Sequence, residues 1–179
     1  AYEFDSLYFH APWLHGFGGR VYKGQTDVLA LDDPAAVRSV EFVRRLVAKE
    51  RIVPEEISSA LITALFRQNK LAFVLSGPWF RGELAGVSNW GVAPLPVISE
   101  TGLHAQPFLG VEAVFLNAFG KQKRDAFKLM THLTRDDQAL ARLKDGSQLV
   151  ANQVPYADPV VQKDPFAAAF RSQVKQTQA

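Results

Sequence analysis

The chain has 179 residues, 47% hydrophobic and 21% charged, with 20 basic against 18 acidic side chains and no cysteine. A surplus of two positive charges, spread along the chain, is no nucleic-acid footprint. The lack of cysteine removes disulfides, zinc–thiolate and iron–sulfur centres and cysteine nucleophiles together, and nothing else in the sequence asks for a cofactor.

No run of about 18 apolar residues is long enough to cross a bilayer. The opening Ala1-Tyr2-Glu3-Phe4-Asp5 has neither the basic start nor the apolar stretch of a secretory signal. Phe4 to Trp13 is aromatic-rich and reads as a strand or turn entering a loop that ends at Gly16-Phe17-Gly18-Gly19. Val28 to Leu31 reads as a short strand. Asp32-Asp33-Pro34 then predicts a helix start, with a carboxylate to cap and a proline where a missing N–H costs nothing. Val37, Val40, Phe42, Val43, Leu46 and Val47 continue it at helical spacing until Pro54. A second helix is expected over Glu55–Gln68, burying Ile57, Leu61, Leu65 and Phe66.

Leu71–Leu75 is a continuous apolar run bounded by Lys70 and Ser76-Gly77-Pro78, which predicts a buried strand. A short helix or turn over Trp79–Ala85 leads to a second such run, Trp90–Leu95, closed by prolines. Ser99–Pro107 is a polar loop and Val111–Leu116 a third strand. Gln122–Leu133 sets Ala126, Phe127, Met130 and Leu133 on one helical face. Thr134 with Asp137 resembles a capping box opening a helix to Lys144, ended by Gly146. Gln148–Asp164 is irregular, a last helix runs from Pro165 toward Val174, and the polar tail Lys175–Ala179 frays. Strands alternating with helices predict an α/β chain.

Catalytic signatures are missing. There is no Gly-x-Ser-x-Gly elbow, and the glycine loop at Gly16 is not Gly-x-Gly-x-x-Gly and precedes no Lys-Ser/Thr pair. His10, His15, His104 and His132 lack metal-ligand spacing and read as structural or surface residues. The carboxylate pairs Asp32/Asp33, Glu55/Glu56 and Asp136/Asp137 all stand at helix starts, where the dipole explains them. The aromatic residues carry more information. Tyr2, Phe4, Tyr8, Phe9 and Trp13 crowd the first segment, and Trp79 follows a Gly-Pro turn at the end of an apolar run. That is where open α/β sheets place ligands. Aromatic faces beside polar groups suit sugars, and the same rings could equally be core.

The stretch Phe66-Arg67-Gln68-Asn69-Lys70-Leu71-Ala72-Phe73-Val74-Leu75-Ser76-Gly77-Pro78-Trp79 resembles the helix–strand–turn of maltose-binding and related extracellular solute-binding proteins, whose strand ends in Asn-Gly-Pro-Trp. Asn89–Pro96, Gln106–Val111 and the upstream Tyr8-Phe9 with Pro12 and Gly18-Gly19 follow in the same order.

The resemblance implies a periplasmic-binding-protein-like α/β fold, mostly one lobe of a two-lobe protein plus a segment of the other. Residues 1–108 would be second-lobe, 109–158 a first-lobe excursion, and 159–179 the return. It implies that the first lobe's opening portion and the closing C-terminal stretch lie outside this sequence, as in a fragment or a domain fused to a permease subunit. It also implies a non-enzymatic sugar binder, with an oligosaccharide and the membrane subunits of an ABC importer as partners. The setting would be periplasmic or extracellular. Trp79 would be a stacking platform, Tyr8 and Phe9 would face the sugar from the same lobe, and Glu3 and Asp5 would accept sugar hydroxyls. Ser6 stands where the family carries a carboxylate. The rivals are a carbohydrate-active enzyme or accessory module, and an interaction domain without a ligand. A lone half of such a fold would leave apolar surface exposed and favour a dimer or swapped assembly.

Overall fold

The computed structural model describes residues 1–177. The first helix, α1 (Leu7–Gly16), occupies the segment whose sequence suggests a strand or loop. Two features hide it from periodicity. Ala11, Pro12, Trp13, Leu14, His15 and Gly16 are all buried, so no polar face marks one side. Pro12 also lies inside it, where proline ordinarily breaks a helix. Burial outweighs that penalty: Ala11 is fully buried, Leu14 is 1% exposed, and Trp13 and Phe17 join the main core.

Helix α2 (Pro34–Arg44) starts at the predicted proline. Asp33 takes the capping position, yet its carboxylate caps nothing and pairs with Lys23 at 3.3 Å. The helix widens into a π turn over Arg45–Lys49. Of its predicted apolar face Val43 is buried and Phe42 and Val47 pack on the core, while Val37 and Val40 are exposed. Helix α3 (Ser59–Arg67) begins four residues after the expected Glu55, because the Ser58 hydroxyl accepts the Leu61 N–H at 3.2 Å and fixes the start there. Ile62 is its buried residue. The short α4 (Phe80–Glu83) follows the Gly-Pro-Trp turn.

The expected strands do not form. Among the described residues the only bridges are the isolated antiparallel pairs Tyr22↔Leu29 and Val97↔His104. Val28–Leu31 folds back through the first, with Lys23 N–H donating to Val28 O (2.8 Å) and Ala30 N–H to Val21 O (2.9 Å). Leu71–Leu75 finds one residue alongside: the Ala1 ammonium donates to Phe73 O at 2.6 Å and Leu75 N–H to Ala1 O at 3.0 Å. An apolar run becomes a strand only when a neighbour takes up its backbone groups. Trp90–Leu95 and Val111–Leu116 have no such ladder, and Phe73 (83%) and Phe115 (87%) stand exposed instead of buried.

Helix α5 (Lys123–Leu133) matches its expected bounds closely, with Ala126, Met130 and Leu133 half-buried and Phe127 exposed. Helix α6 (Asp136–Asp145) follows, but the capping box is absent. The Thr134 hydroxyl donates back to Met130 O at 3.0 Å, and Asp137 binds Arg135 at 2.9 Å. The irregular stretch contains a 3-10 turn at Val154–Ala157 and the short α7 (Pro159–Lys163). Helix α8 (Pro165–Val174) has the predicted limits. Two Asp-Pro pairs punctuate this end: the Asp158 carboxylate accepts the Val160 N–H (2.8 Å) and Asp164 the Phe166 N–H (3.0 Å). The reading of the tail falls partly on residues 178–179, outside the described residues.

Two apolar clusters hold the chain together. The larger joins Tyr2, Trp13, Phe17, Val43, Ile98 and Ala105, so α1, α2 and the 98–105 turn share it. The smaller joins Leu143, Tyr156, Val161 and Ala167. In the larger one, burial pushes the Tyr2 hydroxyl far above the phenol range. The neighbouring Trp13 N–H offsets only part of this, for the two lie too loosely for a full hydrogen bond.

Candidate functional site

The first turn of α1 presents Tyr8 and Phe9, whose rings meet edge to face with centroids 5.5 Å apart. Trp79, from the turn before α4, reaches both at 6.3 Å. Phe108 also reaches Tyr8, at 6.4 Å. One aromatic group therefore gathers residues separated by a hundred positions in sequence. Such tilted and edge-on pairs lie within the favourable range for ring contacts. Phe9 is half-buried against the main core. Tyr8 at 44% and Trp79 at 54% exposure keep ring surface open to a ligand.

Each ring has an identifiable support. Tyr8 and Phe9 ride on α1, which is anchored by its buried later turns. Phe108 is held by His15, whose Nδ1 donates to Gln106 O at 2.6 Å and whose ring meets Phe108 edge-on at 5.3 Å. His10 is engaged with Ser39 at 2.9 Å. The Ser39 hydroxyl donates its own proton to Ala36 O, so His10 Nε2 is the donor. Burial pushes both imidazoles down, and the Gln106 carbonyl pulls His15 part of the way back. These two histidines do packing work, as their spacing suggests.

Trp79 is shaped by a tight turn. Phe80 N–H donates to Gly77 O at 3.1 Å, Arg81 N–H to Pro78 O at 3.3 Å and Gly82 N–H to Trp79 O at 3.1 Å. Behind it, Arg81 Nη1 donates to Asp164 Oδ2 at 2.7 Å and its guanidinium lies 4.8 Å from the Phe166 ring centre, which ties α4 to α8.

The structure thus brings Trp79, Tyr8 and Phe9 together. Glu3 and Asp5 sit in the segment leading into α1, half-buried and exposed respectively, and among the described residues neither carboxylate has an ion-pair partner. Sequence reasoning missed Phe108 as a site residue. The available signal was its place in Gln106–Val111, one of the stretches that carries the resemblance. Among the described residues no group of three acidic, histidine or cysteine side chains could hold a metal ion. An open groove beside α3, lined by Ser59, Thr63, Arg67 and Glu83, shares no residue with the aromatic group. Its Arg67 is committed to the Glu83 and Ala85 carbonyls at 2.7 and 3.0 Å.

Solved structures of the same shape define the class. The maltose-maltodextrin binding protein of Alicyclobacillus acidocaldarius superposes with a TM-score of 0.90 at 28% identity, covering 98% of this chain and 50% of its own. The maltose/maltodextrin-binding domain from Bdellovibrio bacteriovorus, bound to maltotriose, gives 0.90 at 25% identity, over 99% of this chain and 48% of its own. A galactooligosaccharide-binding protein of Bacillus subtilis (strain 168) is 24% identical over 95% of this chain and 42% of its own length. Residues 2–169 match the family described as bacterial extracellular solute-binding protein, and the chain belongs to that family. It spans about half the length of these relatives. No helix among the described residues is long and apolar enough to cross a membrane.

Proposed function

We propose that this chain contributes one wall of an oligosaccharide cleft in a sugar-binding protein that serves an ABC importer outside the cytoplasmic membrane. The observation that carries the reading is the half-exposed aromatic group of Tyr8, Phe9 and Trp79. Sugar C–H faces pack on such rings, and Glu3 and Asp5, without an ion-pair partner among the described residues, accept hydrogen bonds from sugar hydroxyls. The sugars named for the relatives, maltodextrins and galactooligosaccharides, set the ligand class to try first. Residues 1–108 and 159–179 form the second lobe in this reading and 109–158 belong to the first. The small core around Tyr156 straddles the boundary at 158. The mechanism is stacking plus hydroxyl hydrogen bonds, with closure of two lobes trapping the sugar and no bond made or broken.

The test is titration of the chain with maltotriose, followed by amide chemical shifts, which detect weak binding. Shifts centred on Tyr8, Phe9, Trp79 and Phe108 are expected. Trp79→Ala should weaken binding by about 1–3 kcal/mol, the scale of one aromatic anchor's buried area. A titration in which these residues stay still, with maltotriose and galactooligosaccharide alike, overturns the reading. Release of reducing ends during the titration would favour an enzyme instead.

A further inference from the structure

Gly77 is the residue before Pro78 in the turn that presents Trp79. Its backbone does not explain why it is glycine. The glycines with positive φ are Gly18, Gly24, Gly86 and Gly102, and Gly77 is not among them. The reason lies in the space above its Cα. The indole of Trp79 folds back over Gly77, so a Cβ placed there would lie 2.6 Å from Trp79 Cε3 and closer still to Cζ3 and Cη2. All three are atoms of the indole's six-membered ring, and no other neighbour comes as near. Carbon atoms do not approach within 3 Å without something moving. Here the yielding group would be a side chain 54% exposed, free to rotate, not the backbone.

We propose that Gly77 is a positioning residue for the sugar platform: by lacking a side chain it lets the Trp79 indole lie flat against the turn, facing Tyr8 and Phe9. The inference rests on the stacking reading of Trp79 for its functional consequence, though not for its geometry. The turn's hydrogen bond from Phe80 N–H to Gly77 O supplies the approach, and the missing Cβ supplies the room. Any residue with a Cβ at position 77 drives the benzo ring out of this pose, so that its contacts with Tyr8 and Phe9 change, and leaves the main core untouched, since Gly77 and Trp79 belong to neither core cluster. Phenylalanine at position 79 has no second ring to strike that Cβ, so the constraint is specific to tryptophan.

The experiment uses the whole chain with Gly77→Ala, Trp79→Phe and the double variant, with two readouts. In the absence of sugar, NMR contacts between the Trp79 ring protons and those of Tyr8, Phe9 and residue 77 report the pose. Gly77→Ala should alter the pattern of Trp79–Tyr8 and Trp79–Phe9 contacts while the melting temperature and the Trp13 signals stay put. In maltotriose titrations Gly77→Ala should lower affinity about fivefold, the scale of one displaced aromatic contact. The same change in the Trp79→Phe background should have no effect on affinity, a non-additivity that a general loss of structure would not produce. Unchanged ring contacts in Gly77→Ala overturn the positioning role whatever the sugar does. Moved ring contacts with equal affinities for wild type, Gly77→Ala and Trp79→Phe uphold it and sink the stacking reading instead.

Discussion

Asp164 performs two tasks with one carboxylate, and removing them separately tests how α4 is held. Oδ1 accepts the Phe166 N–H at 3.0 Å and caps α8, while Oδ2 takes the Arg81 guanidinium at 2.7 Å. A cap deleted to alanine costs about 1 kcal/mol. A hydrogen-bonded ion pair would cost about 1.5–3 kcal/mol fully buried. With Arg81 36% and Asp164 24% exposed, solvent reduces that to about 1 kcal/mol. Asp164→Ala should therefore lose about 2 kcal/mol. Asp164→Asn keeps the cap and should lose about half of that. Arg81→Met keeps the stem on Phe166, loses the pair and the cation–π contact, and should cost roughly 1–1.5 kcal/mol. Urea unfolding followed by circular dichroism gives each value from the midpoint and slope. The double variant Arg81→Met/Asp164→Ala should show a coupling of about 1 kcal/mol. Purely additive effects would refute the pair's contribution. A loss in Asp164→Asn as large as in Asp164→Ala would refute the cap's.

Acid should destabilise the fold through His10 and His15. Both are held below their ordinary value near 6.5, mainly by burial, so the unfolded chain binds protons that the folded chain refuses. Stability is then complete above about pH 6.5 and falls as the pH drops from there toward the folded values. His10→Gln and His15→Gln should each flatten the slope measured by denaturant midpoints between pH 7 and 5, and an unaltered slope would show that these rings titrate normally. In the smaller core, the Tyr156 hydroxyl donates to Val150 O at 3.1 Å and accepts the Val150 N–H at 3.2 Å. Tyr156→Phe strands both backbone groups and should cost about 1–3 kcal/mol by thermal or urea unfolding. A loss within error of zero would mean solvent takes over both bonds.

The helices were legible where local chemistry decided them. Pro34 and Pro165 set the starts of α2 and α8, and the spacing of Ala126, Met130 and Leu133 gave α5. Caps were legible as types and not as bonds. Asp33 stands at its cap position but turns to Lys23, whereas Ser58, three residues beyond the expected start, caps α3. Helix α1 was hidden because its later turns, buried on all sides from Ala11 to Gly16, leave no amphipathic period to read, and because Pro12 argues against it. The strands were over-read for the converse reason. Leu71–Leu75 and Val111–Leu116 have strand composition, but composition does not supply the neighbour that accepts the backbone bonds. Among the described residues Ala1 alone pairs with the backbone of the first, and the second carries the exposed Phe115. The site was half legible. Trp79, Tyr8 and Phe9 came from the resemblance, while Phe108 depends on a histidine contact across ninety residues that no pattern encodes.

The aromatic group is assembled from three segments, and each is fixed by a different kind of force. Residues 7–16 are held by apolar burial, with Leu14 1% exposed. Residues 106–108 are engaged by the His15 imidazole, through its hydrogen bond to Gln106 O and its edge-on contact with Phe108, and 77–80 by a tight turn whose ring is seated in the space a side chain would fill. Burial is the costliest to disturb, since emptying the Leu14 site to alanine takes about 2–5 kcal/mol. The turn at Gly77 lies outside both core clusters, so a change there can move one ring while the rest of the chain stays folded. An aromatic group arranged this way would, in the proposed role, separate stability from recognition. The helix that carries Tyr8 and Phe9 cannot shift without unfolding the main core, whereas the rings that meet it from outside can be re-aimed at small cost. If the proposed sugar-binding role holds, variation in which sugar is held should concentrate at Trp79, Phe108 and the residues that seat them, and least at the buried face of α1.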